Sequence, residues 1–588
     1  MASVLHRGDR ERRLFGDMRS LGGDVSIDYK DSIMCILSCY FRAKSRTFLV
    51  WVKGIIVFAQ ITGGKFQQQK FLYPSKNYMY PSKRIQPVSR TKILEPSIAA
   101  SRVDSTCTQY KTRPKATLRI RAKQKSRSRE VHCSFNMEDY SQVPFASLCG
   151  LAVIVAGWLA HCVYKWTNPA CSTGRLPPGS VGLPLVGETF QFFKPSPSLD
   201  VPVFYKERLK RYGPVFKTSL VGQPVVVSMD AEVNRIIFQQ EGKLFRSWYP
   251  DTTNNIFGKE SIASYDGSFH KYIRSFASRL FGLESLRDVL LAEMDRNVKH
   301  SLAAWAAEPA IEVKDAVANM VFDLTAKKLI GFGPEKSRKL RKNFDAFFQG
   351  LVSFPLYFPG TTFYRCIQGR KNVQKVLKDL LKERLSAPEK RHGDFLDEVV
   401  NELQSGRGVV DEKFAVDLMA ALLFASFATV SSSLTVAMKF LSGHPNVVES
   451  LKEEHEAILK KREDGRSGIT WEEYKSMTFT AQVTNEIARV SNVAPGIFRK
   501  TLTDVQVKGY TIPAGWLVMI SPMAVHLNPE LFKDPLTFNP WRWQDESKKS
   551  TLLKNFMPFG GGIRLCVGAE FSRIQIALFL HALVTKYR

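Results

Sequence analysis

Near the end of the chain, four glycines, an arginine and a cysteine fall within ten residues: Phe559-Gly560-Gly561-Gly562-Ile563-Arg564-Leu565-Cys566-Val567-Gly568. Glycines allow turns at positive φ and a close approach of the backbone to a flat ligand. Cys566 leads into an apolar helical stretch, Ala569–Val584. A cysteine at a helix start has its thiolate favoured by the helix dipole and by unpaired N–H groups. Bound to haem iron, a thiolate donates electron density and promotes O–O cleavage. A lone cysteine after a Gly-rich turn would equally suit a buried structural role.

Three further segments stand at informative spacings. Glu486-Ile487-Ala488-Arg489 puts an acid and a base on one helix face, a pair that elsewhere is often a surface ion pair. Phe538-Asn539-Pro540-Trp541-Arg542-Trp543 joins aromatics, a proline and an arginine. A long apolar helix over Asp411–Leu441 carries Ala425-Ser426-Phe427-Ala428-Thr429, where small residues open a groove. A helix threonine there can instead bond back to the carbonyl four residues earlier.

Taken together, Phe-x-x-Gly-x-Arg-x-Cys-x-Gly, Glu-x-x-Arg and the aromatic-Pro-Arg segment resemble the cytochrome P-450 haem-thiolate monooxygenases, over about residues 176–588. The resemblance implies a mainly α fold with small β-sheets (α+β). It implies haem b, with Cys566 as axial ligand of the iron and Phe559, Gly560 and Gly568 shaping the ligand loop. Arg542 would complete a Glu486–Arg489–Arg542 network behind the haem. The two propionates want cationic partners. The family's Trp-x-x-x-Arg corresponds to His270-Lys271-Tyr272-Ile273-Arg274, with His270 in place of Trp. Arg274, Arg499, Arg564 and His270 are the implied contacts. Thr429 is implied to donate a hydrogen bond on the distal side and help deliver protons, with Ala425 and Ala428 beside it. Ala428 stands where the family usually has an acid, and Asp417, eleven residues back, lies about three turns away. Proton delivery is then expected to use water, Thr429 or a substrate hydroxyl.

Val186-Gly187-Glu188-Thr189, Pro359-Gly360-Thr361 and Phe556-Met557-Pro558-Phe559 look like the plant clan (clan 85) that oxidises brassinosteroids, phytosterols and triterpenoids, and within it most like family 87. A small, apolar, polycyclic substrate is implied. So are O2 and electrons from NADPH through the flavoprotein NADPH-cytochrome P-450 reductase. Residues 344–363, with six Phe and Tyr357, read either as a pocket roof that dips into the bilayer or as ordinary core. Leu422, Ala425 and residues 494–497 are candidate lining. The family normally continues for a few tens of residues beyond the position of Arg588, so the C-terminal end is expected to be missing. That leaves open a truncated, inactive haem-binding protein. A reductase-independent haem-thiolate isomerase or dehydratase is the other alternative, and Thr429 speaks against it.

The elements that must position these residues follow from pattern. Val215–Ser219 and Pro224–Ser228 flank Val221-Gly222-Gln223 as a hairpin. Helices are expected over Ala231–Gln240, Leu283–Ala306 and Asn372–Leu385, and short strands over Gly509–Pro522. No internal repeat is visible. The catalytic domain is read as residues 188–588, after a Pro/Gly-rich linker, 165–187, whose prolines stiffen it.

Of the 588 residues, 44% are hydrophobic and 24% charged, which excludes a wholly disordered, collagen-like or disulfide-stapled class. The formal charge is +29. Residues 1–136 hold 27 Lys and Arg against 9 Asp and Glu, without a recognisable binding module, and read as a basic, disordered extension; no nucleic-acid partner is expected. Leu49–Ile61 is apolar but short, and Lys111–Arg129 lacks an apolar period. Nine cysteines at irregular spacings, with no Cys-x-x-Cys, suit a reducing compartment. Residues 143–164 would reach about 33 Å as a helix, enough for a hydrocarbon core of roughly 30 Å. Glu138 and Asp139 precede this run and Lys165 and Arg175 follow. A signal anchor in the endoplasmic reticulum membrane, with the catalytic domain facing the cytosol, is the expectation.

Overall fold

The computed structural model describes residues 145–587, apart from 170, 172, 195, 197, 259–264, 352, 354, 407–409, 463–467 and 495. The basic extension over 1–136 and the first two residues of the expected anchor lie outside the described residues. Contacts divide the chain after Ile154. Residues 145–154 belong to one unit and Val155 onward to the other.

Helix α1, Phe145–Thr167, begins within the expected anchor and runs three residues past it. Its apolar side chains, among them Leu151, Ile154, Trp158 and Val163, are exposed. It is long and apolar enough to cross a bilayer.

In the unit from Val155 the next elements are α2 (Val203–Tyr212), β1 (Val215–Leu220), β2 (Gln223–Ser228), α3 (Ala231–Gln239), β3 (Phe245–Ser247), α4 (Asp251–Phe257) and α5 (Gly267–Phe281). They are followed by α6 (Leu291–Ala307), α7 (Val313–Ile330), α8 (Pro334–Leu351), α9 (Thr362–Ser386), α10 (Phe395–Gln404), α11 (Glu412–Ser442), α12 (Pro445–Lys460) and α13 (Thr478–Ser491). Strands β4 (Ile497–Thr501), β5 (Val505–Val507), β6 (Tyr510–Ile512) and β7 (Leu517–Ile520) precede α14 (Ala569–Lys586). The fold is mostly helical with two small sheets. The larger sheet has the order β1-β2-β7-β4-β3, with β2 and β7 parallel and the other pairs antiparallel. Its register sets Ser247 against Arg499.

Helix α11 shows how sequence becomes core. Asp411 caps it by accepting from Phe414 N–H at 2.6 Å. It is as long and apolar as a membrane span, yet it is buried among the other helices, so apolarity here marks the centre of a globule. Phe424 and Phe427 pack with Phe322, Phe344 and Phe347 at ring-centroid distances of 4.9–6.4 Å. The aromatic segment 344–363 therefore divides. Phe344, Phe347 and Phe363 are core, while Tyr357 and Phe358 are exposed. The run read as one helix over Leu283–Ala306 is interrupted, since Leu286–Leu290 forms a π turn before α6. The helix expected over Asn372–Leu385 begins ten residues earlier, capped by Thr361.

The Val186-Gly187-Glu188-Thr189 segment owes its residues to a buried ion pair. Glu188 accepts from Arg208 Nε at 3.0 Å and from Thr218 Oγ1 at 2.6 Å, and Arg208 stacks 3.8 Å over the Phe204 ring. Thr189 Oγ1 takes the Val221 N–H at 2.7 Å. Gly187 has φ +68° and its Cα touches the Ser219 backbone, so no side chain fits. The motif thus rivets the end of the linker to α2 and the β1–β2 turn. Arg208→Ala leaves Glu188 buried and unpaired, and it is expected to cost about 3–5 kcal/mol in urea unfolding.

Candidate active site

The cysteine loop is built against α3. Gly560 and Gly562 sit at φ +72° and +64°. A Cβ on Gly561 would meet the Phe238 ring at 2.9 Å, and one on Gly562 would strike the Phe238 carbonyl oxygen. The close approach that the sequence assigned to a flat ligand is therefore, at these two positions, an approach to Phe238. Cys566 N–H donates to Phe559 O at 3.1 Å, closing the loop, and Arg573 lies 4.9 Å over the Phe559 ring.

Cys566 is exposed to solvent, although protein atoms crowd around its sulfur. Desolvation pushes its thiol pKa up, against lowering by the Gly568 N–H, Arg274 and Arg573. The Gly568 N–H at the start of α14 and the two arginines act in the sense expected from the sequence, while burial acts against them, and a bound cationic metal would favour the deprotonated sulfur further. Among the described residues no cluster of three or more His, Cys, Asp or Glu is placed to hold a bare ion. A single sulfur suits a metal whose other ligands come from elsewhere, as in haem.

Arginines crowd one corner beside this loop. Arg564 Nε donates to Glu241 Oε1 at 2.7 Å, and its Nη2 reaches Tyr265 O and Asp266 Oδ1. Arg499, on β4, also contacts the Glu241 carboxylate. Its Nη1 donates to Phe498 O at 2.8 Å, but its buried Nε has no aligned hydrogen bond. Arg274 Nη1 donates to Leu565 O. His270, one turn before Arg274 on α5, is buried, and its pKa is lowered by desolvation and then by Arg564 and Arg274. The four residues implied for the propionates thus share one corner, and Glu241, missed in the sequence, sits among them. A buried guanidinium with an unaligned N–H fits an anionic ligand.

Along α11 every residue from Phe414 to Val430 is buried except Ala421, Ala425 and Thr429, which lie along one face at i, i+4, i+8. Thr429 Oγ1 donates to Ala425 O at 3.0 Å, so its proton is engaged and its lone pairs face the open side. Ala428 is buried, and its carbonyl accepts from Ser432 Oγ at 2.8 Å. Asp417 does not stand in for the missing acid. It is buried, and its Oδ1 accepts from Gln374 Nε2 at 2.7 Å and Arg370 Nη2 at 3.3 Å on α9. Gly258, at φ +99° after α4, has no room for a Cβ beside Asp417 Oδ2.

Glu486 and Arg489, on α13, are fully buried. Arg489 Nε and Nη2 donate to Glu486 at 2.9 and 2.8 Å, Arg542 Nε at 3.0 Å and Trp543 Nε1 at 3.1 Å. Arg489 also donates to His526 O at 2.9 Å. His526 in turn accepts the Met557 N–H at 3.0 Å, two residues before Phe559. This histidine, unmarked in the sequence, links the network to the cysteine loop. A separate cleft of about 470 Å³ lies against α2, lined in part by Val201, Leu209, Met229 and Leu536, and holds none of these residues.

A mostly helical body with one exposed cysteine on a glycine-rich loop beside clustered arginines is the arrangement a haem-thiolate enzyme needs. The chain belongs to the cytochrome P450 family, whose pattern matches residues 177–588. It is 55% identical over 426 residues to cytochrome P450 87A3 of Oryza sativa subsp. japonica, covering 72% of this chain and 83% of that one. It is 45% identical to the beta-amyrin 16-alpha-hydroxylase of Maesa lanceolata, covering 75% and 92%, and 45% identical to the cucurbitadienol 11-hydroxylase of Siraitia grosvenorii, covering 75% and 93%. Among solved structures it is similar to a retinoic acid bound cyanobacterial P450, CYP120A1, with TM-score 0.63 and 30% identity over 70% of this chain and 92% of that one. The chain is a cytochrome P450 monooxygenase, and its family implies haem.

Two outcomes test this geometry. Gly562→Ala should lower the urea midpoint by more than the ~1–2 kcal/mol of a left-handed residue alone, whereas Gly560→Ala, with only Ile497 Cδ1 at 3.7 Å, should cost no more than that. His526 is held near pKa 3 chiefly by burial, and His455 and His581, whose Nδ1 atoms lie 3.1 Å apart, near 4 and 3. The unfolded chain takes up protons below pH ~6.5 that the folded chain does not. Stability is therefore full above that pH and falls as pH drops, by about 2 kcal/mol per histidine at pH 5. His526→Gln should flatten the urea midpoint against pH over this window.

Proposed function

We propose that the chain hydroxylates a rigid, apolar, polycyclic substrate, a triterpenoid, sterol or brassinosteroid. The reaction takes O2 and electrons from NADPH through a flavoprotein reductase. The observation that carries this reading is the exposed Cys566 on its glycine-rich loop, together with the accessible small-residue face Ala421–Ala425–Thr429 in the otherwise buried stretch Phe414–Val430 of α11. The names of the two hydroxylases at 45% identity support the substrate class.

In this reading Cys566 would hold the haem iron through its sulfur, steadied by the Gly568 N–H, and Arg274, Arg499, Arg564 and His270 would pair with the propionates. Phe559 and Gly560 shape the ligand loop. Haem bound there would supply activation of dioxygen. Thr429 first accepts a hydrogen bond from water or substrate on the open face of α11, because its own proton rests on Ala425 O. Releasing that proton requires the hydroxyl to turn about its Cβ–Oγ1 bond. Ala428 offers no carboxylate, so protons arrive through water or a substrate hydroxyl. Glu486, Arg489 and Arg542 hold the segment over 526–543 behind the site. Helix α1 would anchor the protein in the endoplasmic reticulum membrane with its body in the cytosol.

The reduced, CO-bound spectrum of the full chain should show a thiolate-ligated band, and Cys566→Ser should abolish it. With reductase and NADPH, polycyclic triterpenoids or sterols should perturb the spin state and yield a mono-oxygenated product. No spin-state response and no product across both classes would overturn the substrate reading. Thr429→Ala should leave substrate binding intact and lower product per NADPH by about tenfold or more.

A further inference from the structure

We propose that Glu241 is the positioning residue for the haem-propionate arginines. The inference rests on the haem-thiolate reading above and assigns a role to a residue that no motif marks.

Glu241 follows the last turn of α3. Its side chain is 2% exposed and lies between two guanidiniums, with Arg564 on Oε1 and Arg499 against Oε2. These arginines come from distant parts of the fold, the cysteine loop and β4. Three contacts bring them together. Gly561 and Gly562 pack on Phe238, three residues before Glu241. Arg499 lies 6.0 Å over the same Phe238 ring. Strand β3, which begins four residues after Glu241, pairs with β4 and sets Ser247 opposite Arg499.

A buried carboxylate is costly unless cations and hydrogen bonds compensate it. Here it has a further effect. Two guanidiniums at one corner repel; Arg564 also reaches Tyr265 O and the Asp266 carboxylate, but among the described residues it is Glu241 that touches both arginines. With it, both are held side by side. The alignment is unequal. Arg564 Nε makes a directed hydrogen bond, while Arg499 Nε and Glu241 Oε2 touch without one. Arg499 is held in addition by its Nη1, which donates to Phe498 O. A propionate entering this corner meets guanidiniums already oriented, and Glu241 partly neutralises them so that they need not be screened by solvent.

The test uses the full chain loaded with haem. Glu241→Gln keeps the shape and removes the charge. It should release haem to apomyoglobin about three- to tenfold faster and raise the haem reduction potential, while the CO-bound thiolate band persists. Glu241→Asp keeps the charge but is too short to span both arginines. It should release haem faster with the potential near its original value, and it serves if the glutamine variant does not accumulate. In an Arg499→Lys/Arg564→Lys background the Glu241→Gln increment should disappear. An unchanged or slower release rate, or the same increment in that background, would overturn the role of Glu241 and leave the haem-thiolate reading standing. Absence of the thiolate band in the unsubstituted chain would overturn both.

Discussion

The structure depends on a carboxylate that water never reaches. Glu486 is fully buried and takes five N–H groups, two from Arg489 and one each from Asn539, Arg542 and Trp543. Half-satisfied, such a charge would cost several kcal/mol; with every lone pair engaged it becomes a fixed point. The arginines extend that point outward. They donate to the carbonyls of Lys533, Pro535, Thr537 and His526, so an irregular chain segment is held as firmly as a helix. His526 then passes the constraint to Met557 and the cysteine loop.

A second carboxylate does comparable work at the opposite end of the motif. Glu241 joins the loop after Cys566's glycines to the sheet, and Phe238 provides the surface on which both meet. The site is therefore not a cavity lined by chance. The sulfur, the arginines and the small-residue face each come from an element fixed by a buried polar anchor or a glycine contact. Burial pushes the Cys566 thiol up, and a bound cationic metal would act in the opposite sense.

Much of this was legible in the sequence where chemistry and spacing coincide. The interval between Glu486 and Arg489 places both on one face, the Gly-rich loop announces positive φ, and the β1–β2 hairpin follows from two short runs flanking Val221-Gly222-Gln223. Other features were not legible because their cause is distant in the chain. Gln239-Gln240-Glu241-Gly242 reads as an exposed helix end; only the approach of Arg499 and Arg564, more than 250 residues later, turns its acid inward. Asp417 reads only as an acid in a long apolar helix, three turns from Ala428, until Arg370 and Gln374 are seen beside it. The π turn over Leu286–Leu290 leaves no mark that periodicity alone can distinguish from an ordinary helix. The aromatic run over 344–363 has one composition and two environments, which only packing separates.

Helix α11 has two mechanical characters along one axis. Near its start, Asp417 ties it to α9 and abuts Gly258, so that end is clamped. Further along, Ser426, Thr429, Ser431, Ser432 and Thr435 each turn a hydroxyl back onto the helix's own carbonyls, which loosens the ladder and favours bending. A rod clamped at one end and softened in its middle flexes like a leaf spring. Any ligand that presses on the face of Ala425 and Thr429 will be accommodated by curvature there, not by sliding of the whole helix.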